Sequence, residues 1–226
     1  MKFIHTSDLH YGGVRCREEK RNEPRSIALA DAEFVIVTGD LTENGFDGSL
    51  LCCIEYGGDD YQLQRFKLKF IRPIERSGKS IYLCPGNHDL GYWWSPYKPV
   101  MHYIRKRHKS TQYAFERNGL RFICCGIYPK DLKWLKKQMR QDQPHVIFFH
   151  YNLIGKWSDW WSEKEKTAFA KVIEPYHIVA ILVGHSHISE IQNWRGYRVI
   201  LSGDQYSIIT YDEAAKQITE VDYVYI

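Results

Sequence analysis

The sequence predicts an α/β fold, and three observations carry that expectation. Five short, continuous apolar runs, KFIHTS, FVIVTG, SIYLCPG, HVIFFH and VAILVG, each stop at a glycine, a proline or a polar residue, as strands buried on both faces do. Segments with helical spacing lie between several of these runs. After His187 the pattern turns to hairpins, EIQNWRGYRVIL and then SIITYD with ITEVDYVYI, so a second sheet drawn largely from the carboxyl half is expected.

Along the chain, the first run opens at Lys2 and the second at Phe34. Between them Val14 to Arg25 is densely charged without a period, which predicts an irregular connection. Tyr61 to Glu75 spaces Phe66, Phe70 and Ile74 four residues apart, the face of a helix that Pro73 is expected to end early. The stretch GYWWSPYKPVMHYIRKRHK reads as an irregular insertion leading into a basic helix, and the apolar run RFICCGIY suits Cys124 and Cys125 as small buried thiols. Pro129 to Arg140 sets Leu132, Leu135 and Met139 on one face. Ser162 stands three residues before Glu165, a capping box that opens a helix running to Glu174. With no repeat, low-complexity tract or linker, residues 1–226 are expected to form a single domain.

The chain has 226 residues, a net charge of +4, 44% hydrophobic and 26% charged residues, the composition of an ordinary globular protein able to bury its core without disulfides. The mild positive charge tolerates acidic ligands or nucleic acid and argues for neither. Six cysteines include the adjacent pairs Cys52-Cys53 and Cys124-Cys125 and no CxxC, which points to a reducing compartment. The opening residues read as a strand rather than a signal core, and no apolar stretch approaches the ~20 residues of a membrane span. A cytoplasmic protein is expected.

Each of the five runs leads into residues able to ligate metal: Asp8 and His10, Asp40, Asn87 with His88 and Asp89, His150, and His185 with His187. In open α/β sheets ligands collect beyond the carboxyl ends of strands. Any one of these segments alone is an ordinary polar turn; five at the same place relative to a strand make a site. Imidazoles, carboxylates and an amide oxygen without thiolates suit Mn²⁺, Fe²⁺ or Zn²⁺. The i, i+2 spacing of Asp8/His10 and His185/His187 puts each pair on one side of an extended segment. So many ligands exceed the needs of one ion and suit two, about 3.5–4 Å apart, sharing a carboxylate.

The motifs DLH, GD, GNHD, FFH and GHSH, spread from Asp8 to His187, resemble those of the calcineurin-like metallophosphoesterases. The resemblance implies a four-layer α/β/β/α sandwich of two mixed β-sheets flanked by helices. It assigns Asp8, His10 and His187 to one metal and Asn87, His150 and His185 to the other, with Asp40 bridging. A hydroxide between the two ions would then attack phosphorus while His88 protonates the leaving group. Glu43, three residues beyond the bridging position, would support His88, with Asp89 the competing candidate for that role. The chain departs from the protein phosphatases of the family in lacking an arginine directly after Asp40 and soon after GNHD. The short, charged connection after His10 carries Arg15 and Arg17, which suit a solvated loop or a substrate phosphate.

Two aromatic clusters follow site motifs: Tyr92, Trp93 and Trp94, and Trp157, Trp160 and Trp161. They suit core packing, the pinning of loops, or stacking on a nucleobase. Tyr151 and Asn152 adjoin a ligand and suit either phosphate contact or loop structure. The basic stretch IRKRHK is expected to be a solvated helix face rather than a nucleic-acid track. His5, His102, His108, His145 and His177 fit no ligand position. The expected activity is hydrolysis of a phosphodiester ahead of a phosphomonoester, the substrate being a phosphoester such as a nucleotide. A nuclease is the alternative, because FIHTSDLHYG is similar to the start of DNA-repair nucleases. A scaffold with a vestigial metal site is the other.

Overall fold

The structure is a computed structural model and describes residues 1–12, 18–44, 59–91 and 98–225. Alternation of side chains along the strands creates its layers. Strand β1 (Lys2–Thr6) sends Phe3 to one face and Ile4 to the other; β2 (Phe34–Thr38) sends Phe34 and Ile36 one way, Val35 and Val37 the other. Strand β6 (His145–Phe148) divides in the same manner, Val146 and Phe148 against Ile147, as β7 (Ile178–Val183) does, Ala180 and Leu182 against Ile181 and Val183. One half of each set meets the other sheet, and the other half meets helices.

The remaining strands are β3 (Ser80–Cys84), β4 (Tyr113–Arg117), β5 (Leu120–Cys124), β8 (Ser189–Trp194), β9 (Tyr197–Ser202), β10 (Tyr206–Asp212) and β11 (Gln217–Val224). They form a five-stranded sheet of order β11-β10-β1-β2-β3 and a six-stranded sheet of order β4-β5-β6-β7-β9-β8. Both are mixed: β1, β2 and β3 run parallel, as do β5, β6, β7 and β9, while the hairpins add antiparallel strands. Aromatic rings join the inner faces. Phe3 stacks on Phe34 at 5.3 Å and meets Phe122 of the other sheet edge-on at 5.3 Å.

Helices cover the outer faces. Helix α1 (Glu18–Leu29), helix α2 (Asp59–Phe66, continuing through Lys67–Ile71 and Arg72–Arg76) and helix α3 (Pro99–His108) lie on the first sheet, delivering Ile27, Phe66, Phe70, Ile74, Val100 and Ile104 to its core. Helices α4 (Leu132–Gln138) and α5 (Glu163–Ile173) cover the second sheet with Leu135, Phe169 and Ile173. The result is the expected four-layer sandwich. The capping box of Ser162 and Glu165 is formed. No helix among the described residues is long and apolar enough to cross a membrane.

Three expectations are corrected. The charged connection after His10 contains α1, which spans Pro24 and has Ile27 as its fully buried apolar anchor. Helix α2 begins at Asp59–Phe66, passes through a π-helical stretch Lys67–Ile71 and continues over Pro73 to Arg76. The proline ring would crowd the carbonyl four residues earlier, at Lys69, and the widened π turn there accommodates it. Finally, β10 and β11 return to the first sheet, where β10 pairs antiparallel with β1 in the register Lys2↔Thr210.

Candidate metal centre

The loops that leave β1 and β2 run side by side. Backbone N–H groups of Asp8, His10 and Tyr11 donate to the carbonyls of Gly39, Asp40 and Leu41 at 3.1, 2.9 and 3.1 Å. The loops that leave β6 and β7 are tied in turn by the Gly184 N–H to the His150 carbonyl at 3.0 Å. Among the bonds that cross between the sheets, two hold the site loops together. His150 Nδ1 donates to the Thr38 carbonyl at 2.7 Å, and the His185 backbone N–H donates to the Asp8 carboxylate at 3.0 Å. A carbonyl only accepts, so Nδ1 of His150 carries hydrogen and Nε2 faces the centre.

The close approach of these loops depends on missing side chains. A methyl group at Gly86 would run into the backbone nitrogen and Oδ1 of Asp40, and one at Gly184 into Ser7 Oγ. The backbone around the site is also unusual. Asp8, His10, Asp40, His185 and His187 have φ of 56°, 47°, 50°, 72° and 55°. The expected extended geometry for Asp8/His10 and His185/His187 is therefore wrong; left-handed residues separated by one position bring the paired side chains together instead. Asp and His tolerate this region better than most residues, at a strain that recurs at functional sites.

Besides a group of His10, Glu43 and His88, two groups of potential ligand atoms, each within 4.8 Å of one another, result: Asp8, His10, Asp40 and His187, and Asp40, His150 and His185. Asp40 belongs to both. Its Oδ2 lies 3.3 Å from His150 Nε2 and 3.7 Å from His10 Nε2, and its Oδ1 accepts the His88 backbone N–H at 2.9 Å. Asn87 joins the second group, with Oδ1 3.0 Å from His150 Nε2. In the first, His10 Nε2 and His187 Nε2 face each other at 3.2 Å and His187 Nε2 lies 3.5 Å from Asp8 Oδ1.

Charge is concentrated here. Burial would push the Asp40 carboxyl up, but His150, then His10 and His88, outweigh it and hold it well below the usual carboxylate range. Burial opposes charge on His150 too, yet Asp40, Asp8 and the Thr38 carbonyl raise it to about 9. His10 is raised despite its burial, by Glu43, Asp40 and Asp8. His185 goes the other way: burial, then the charge of His150, push it down to about 3. Its Nε2 is buried with no hydrogen-bond partner among the described residues. A neutral imidazole with an unsatisfied nitrogen beside an ionised carboxylate is a fitting donor for a divalent cation.

The resemblance assigns His88 to the leaving group, with Glu43 or Asp89 supporting it. His88 Nδ1 donates to the main-chain carbonyl of Glu43 at 2.5 Å, and its ring meets that of His10 edge-on at 4.8 Å. The Glu43 carboxylate is nearer His10, 3.3 Å from Nδ1, than His88, 3.9 Å from Nδ1. Asp89 is fully buried and accepts from the N–H groups of Leu41, Thr42 and Gly86 and from the Thr42 hydroxyl at 3.1, 3.1, 2.9 and 3.2 Å. It clips the Asp40 loop to the Asn87 loop, and burial pushes its carboxyl up to about 6.

The second aromatic cluster divides. Trp161 is buried and its indole N–H donates to the Asn152 carbonyl at 2.9 Å, whereas Trp157 and Trp160 are exposed beside His185. Core packing with loop pinning describes Trp161; no signal in the sequence separates this buried ring from the other two. Asn152 is buried and spent on Leu153 and Ser186, as a loop residue. Arg107 and His108 of the basic helix turn onto the edge of β3, binding Ile81 O and Leu83 N at 3.1 and 3.1 Å. Tyr92, Trp93, Trp94, Arg15, Arg17, Cys16, Cys52 and Cys53 lie outside the described residues.

A family model described as calcineurin-like phosphoesterase matches residues 1–189. Solved structures share the fold at low identity. A dimetal phosphatase from Danio rerio is 12% identical with a TM-score of 0.62, over 92% of this chain and 91% of that one. A phosphatase from Mycoplasma pneumoniae is 15% identical with a TM-score of 0.55, over 100% and 93%. GAP50, the anchor in the inner membrane complex of Plasmodium, is 10% identical with a TM-score of 0.63, over 100% and 89%. Among curated protein sequences none matches significantly.

Proposed function

We propose that this chain, which belongs to the calcineurin-like phosphoesterase family, hydrolyses phosphoesters at a centre for two divalent cations. One observation carries this: the buried Asp40 carboxylate is common to two separate groups of ligand atoms. Asp8, His10 and His187 would hold one cation with Asp40, and Asn87, His150 and His185 the other. The nitrogen and oxygen donors suit Mn²⁺, Fe²⁺ or Zn²⁺. Two such ions supply Lewis acidity toward phosphate oxygens and an activated water as nucleophile.

The chain's own residues do the rest. Thr38 fixes the ring of His150 through Nδ1, and Glu43 braces His10 through its carboxylate. With Nδ1 donating to the Glu43 carbonyl, His88 in its imidazolium form would give its Nε2 proton to the leaving alkoxide, becoming the neutral Nδ1–H tautomer, and recover a proton from water. Asp89 acts through position, by clipping the loops that carry Asp40 and His88. A diester is placed before a monoester because Leu41, Leu90 and Gly91 stand where an arginine would meet a second negative charge. Tyr151 also lines a cavity of about 830 Å³ with Pro85, Leu90, Met101 and Tyr128, room for the second organic group of a diester. The buried free thiols of Cys84, Cys124 and Cys125 support a reducing, cytoplasmic setting.

The test is metal analysis of untreated protein, followed by Mn²⁺-dependent hydrolysis of an aryl diester, an aryl monoester and single-stranded DNA. Bound metal and faster turnover of the diester are expected. Preference for DNA would favour the nuclease alternative. Protein that carries no metal and gains no thermal stability from Mn²⁺ or Zn²⁺ would reject the proposal in favour of a scaffold.

A further inference from the structure

Only a few large apolar side chains are well exposed among the described residues, and two stand in one turn of chain: Trp157, 41% exposed, and Trp160, 53% exposed. Leaving indoles in water is unfavourable, and such a patch ordinarily marks a contact surface. Loop anchoring does not account for them, since the buried Trp161 already performs it through Asn152. The Ser158 N–H closes the turn on the Gly155 carbonyl at 3.2 Å.

Both rings are aimed at the metal centre. Trp160 stands edge-on to His185 with centroids 4.9 Å apart, and Trp157 lies 5.8 Å from His185 and 5.8 Å from His187. Trp157 holds this place with φ of 60°, a conformation that a bulky side chain rarely takes. The Lys156 ammonium sits 4.0 Å from the centre of the Trp157 ring, a cation–π contact that fixes the indole and sets a positive charge at the mouth of the site.

We infer that Trp157 and Trp160 form a stacking platform for a planar aromatic group, a nucleobase or aryl ring, carried by the phosphoester held at the neighbouring cations. The inference rests on the phosphoester proposal and names its substrate class. Aromatic rings accept any flat π-system, so the platform selects for planarity rather than for one base.

The test is calorimetric binding of AMP, phenyl phosphate and ribose 5-phosphate to the Mn²⁺-loaded protein and to its Trp160→Ala and Trp160→Phe variants. The wild type should bind AMP or phenyl phosphate about 5- to 150-fold more tightly than ribose 5-phosphate, the span of one stacking contact. Trp160→Ala should erase that advantage and Trp160→Phe restore most of it. Gain by both ligands assigns any aryl ring, and gain by AMP alone assigns a nucleobase. Equal affinity of the three ligands for the wild type, or an equal loss for all three in Trp160→Ala, overturns the platform while leaving the phosphoester proposal standing. Failure of ribose 5-phosphate and inorganic phosphate to bind in a Mn²⁺-dependent way removes both.

Discussion

A divalent cation entering this centre has to expel protons, and their number follows from the electrostatics. Against its burial, His150 is raised to about 9 by Asp40 and Asp8, so at pH 7 its protonated form predominates in the metal-free protein. His185, at about 3, is already neutral and releases nothing. His10, raised from 6.5, adds a fraction. Binding at pH 7 should therefore release at least one proton, and affinity should climb close to tenfold per pH unit below 9. Between pH 6.5 and 8.5 that is about 80-fold, or ~2.6 kcal/mol. Titration calorimetry with Mn²⁺ in two buffers of different ionisation enthalpy counts the protons directly. Equal heats in both buffers, with affinity flat over this range, would show that His150 is neutral before metal arrives and would refute its ionic pairing with Asp40. The sign for stability is opposite. The folded value of His150 lies above 6.5, so its stabilisation of the metal-free protein is complete below pH 6.5 and is lost as pH rises through 9.

Asp40→Asn should leave the purified protein with neither cation, read by metal analysis, because the shared carboxylate is removed from both groups. His88→Ala should keep both metals and lose about 10²–10⁴-fold in turnover of an alkyl diester, with a much smaller loss for a nitrophenyl diester whose leaving group needs no proton. Equal losses for the two substrates would contradict the proton-donor role. Gly86→Ala should lower the thermal midpoint and metal retention together, since the new methyl meets Asp40; a variant that melts and loads like the wild type would show that the loops can separate at no cost.

Much of the fold is legible because buried parallel strands are continuous apolar runs, and each run here is followed within two or three residues by one that enters the site. Helix α1 is not legible, because Leu29 is exposed and the fully buried Ile27 is not repeated at helical spacing, so no stripe marks a face. The edge strand β4, YAFER, is short and half polar, and it gains its identity only by pairing Phe115 with Phe122. Which sheet receives β10 and β11 is decided by contact with β1, a tertiary choice that hairpin chemistry does not encode. The residues proposed as ligands, Asp8, His10, Asp40, Asn87, His150, His185 and His187, can be picked out from their place after strands. The left-handed backbone that aims them, and the preference of the Glu43 carboxylate for His10, arise from loops meeting in space.

That backbone has an energetic consequence. Asp8, His10, Asp40, His185 and His187 all occupy the left-handed region, and at ~1 kcal/mol each, the low end for residues that tolerate it, the strain is about 5 kcal/mol. Imidazoles crowd the same space, the buried His10 and the partly exposed His187 with ring nitrogens 3.2 Å apart. Backbone bonds between the loops offset part of this, yet they are equally present without metal. Cations binding the native state alone would add RT ln(1 + [L]/Kd), ~4 kcal/mol at a thousandfold excess over Kd, which is the same size as the strain. For a chain of 226 residues each kcal/mol moves the midpoint by about 2–4 °C, so chelation should lower Tm by about 8–16 °C. The loss should appear in thermal melts of chelator-treated protein and reverse on adding Mn²⁺. A midpoint shifted by less than ~2 °C after complete removal of metal would mean that the loops hold their left-handed geometry unaided, and that cations fill a site which does not depend on them.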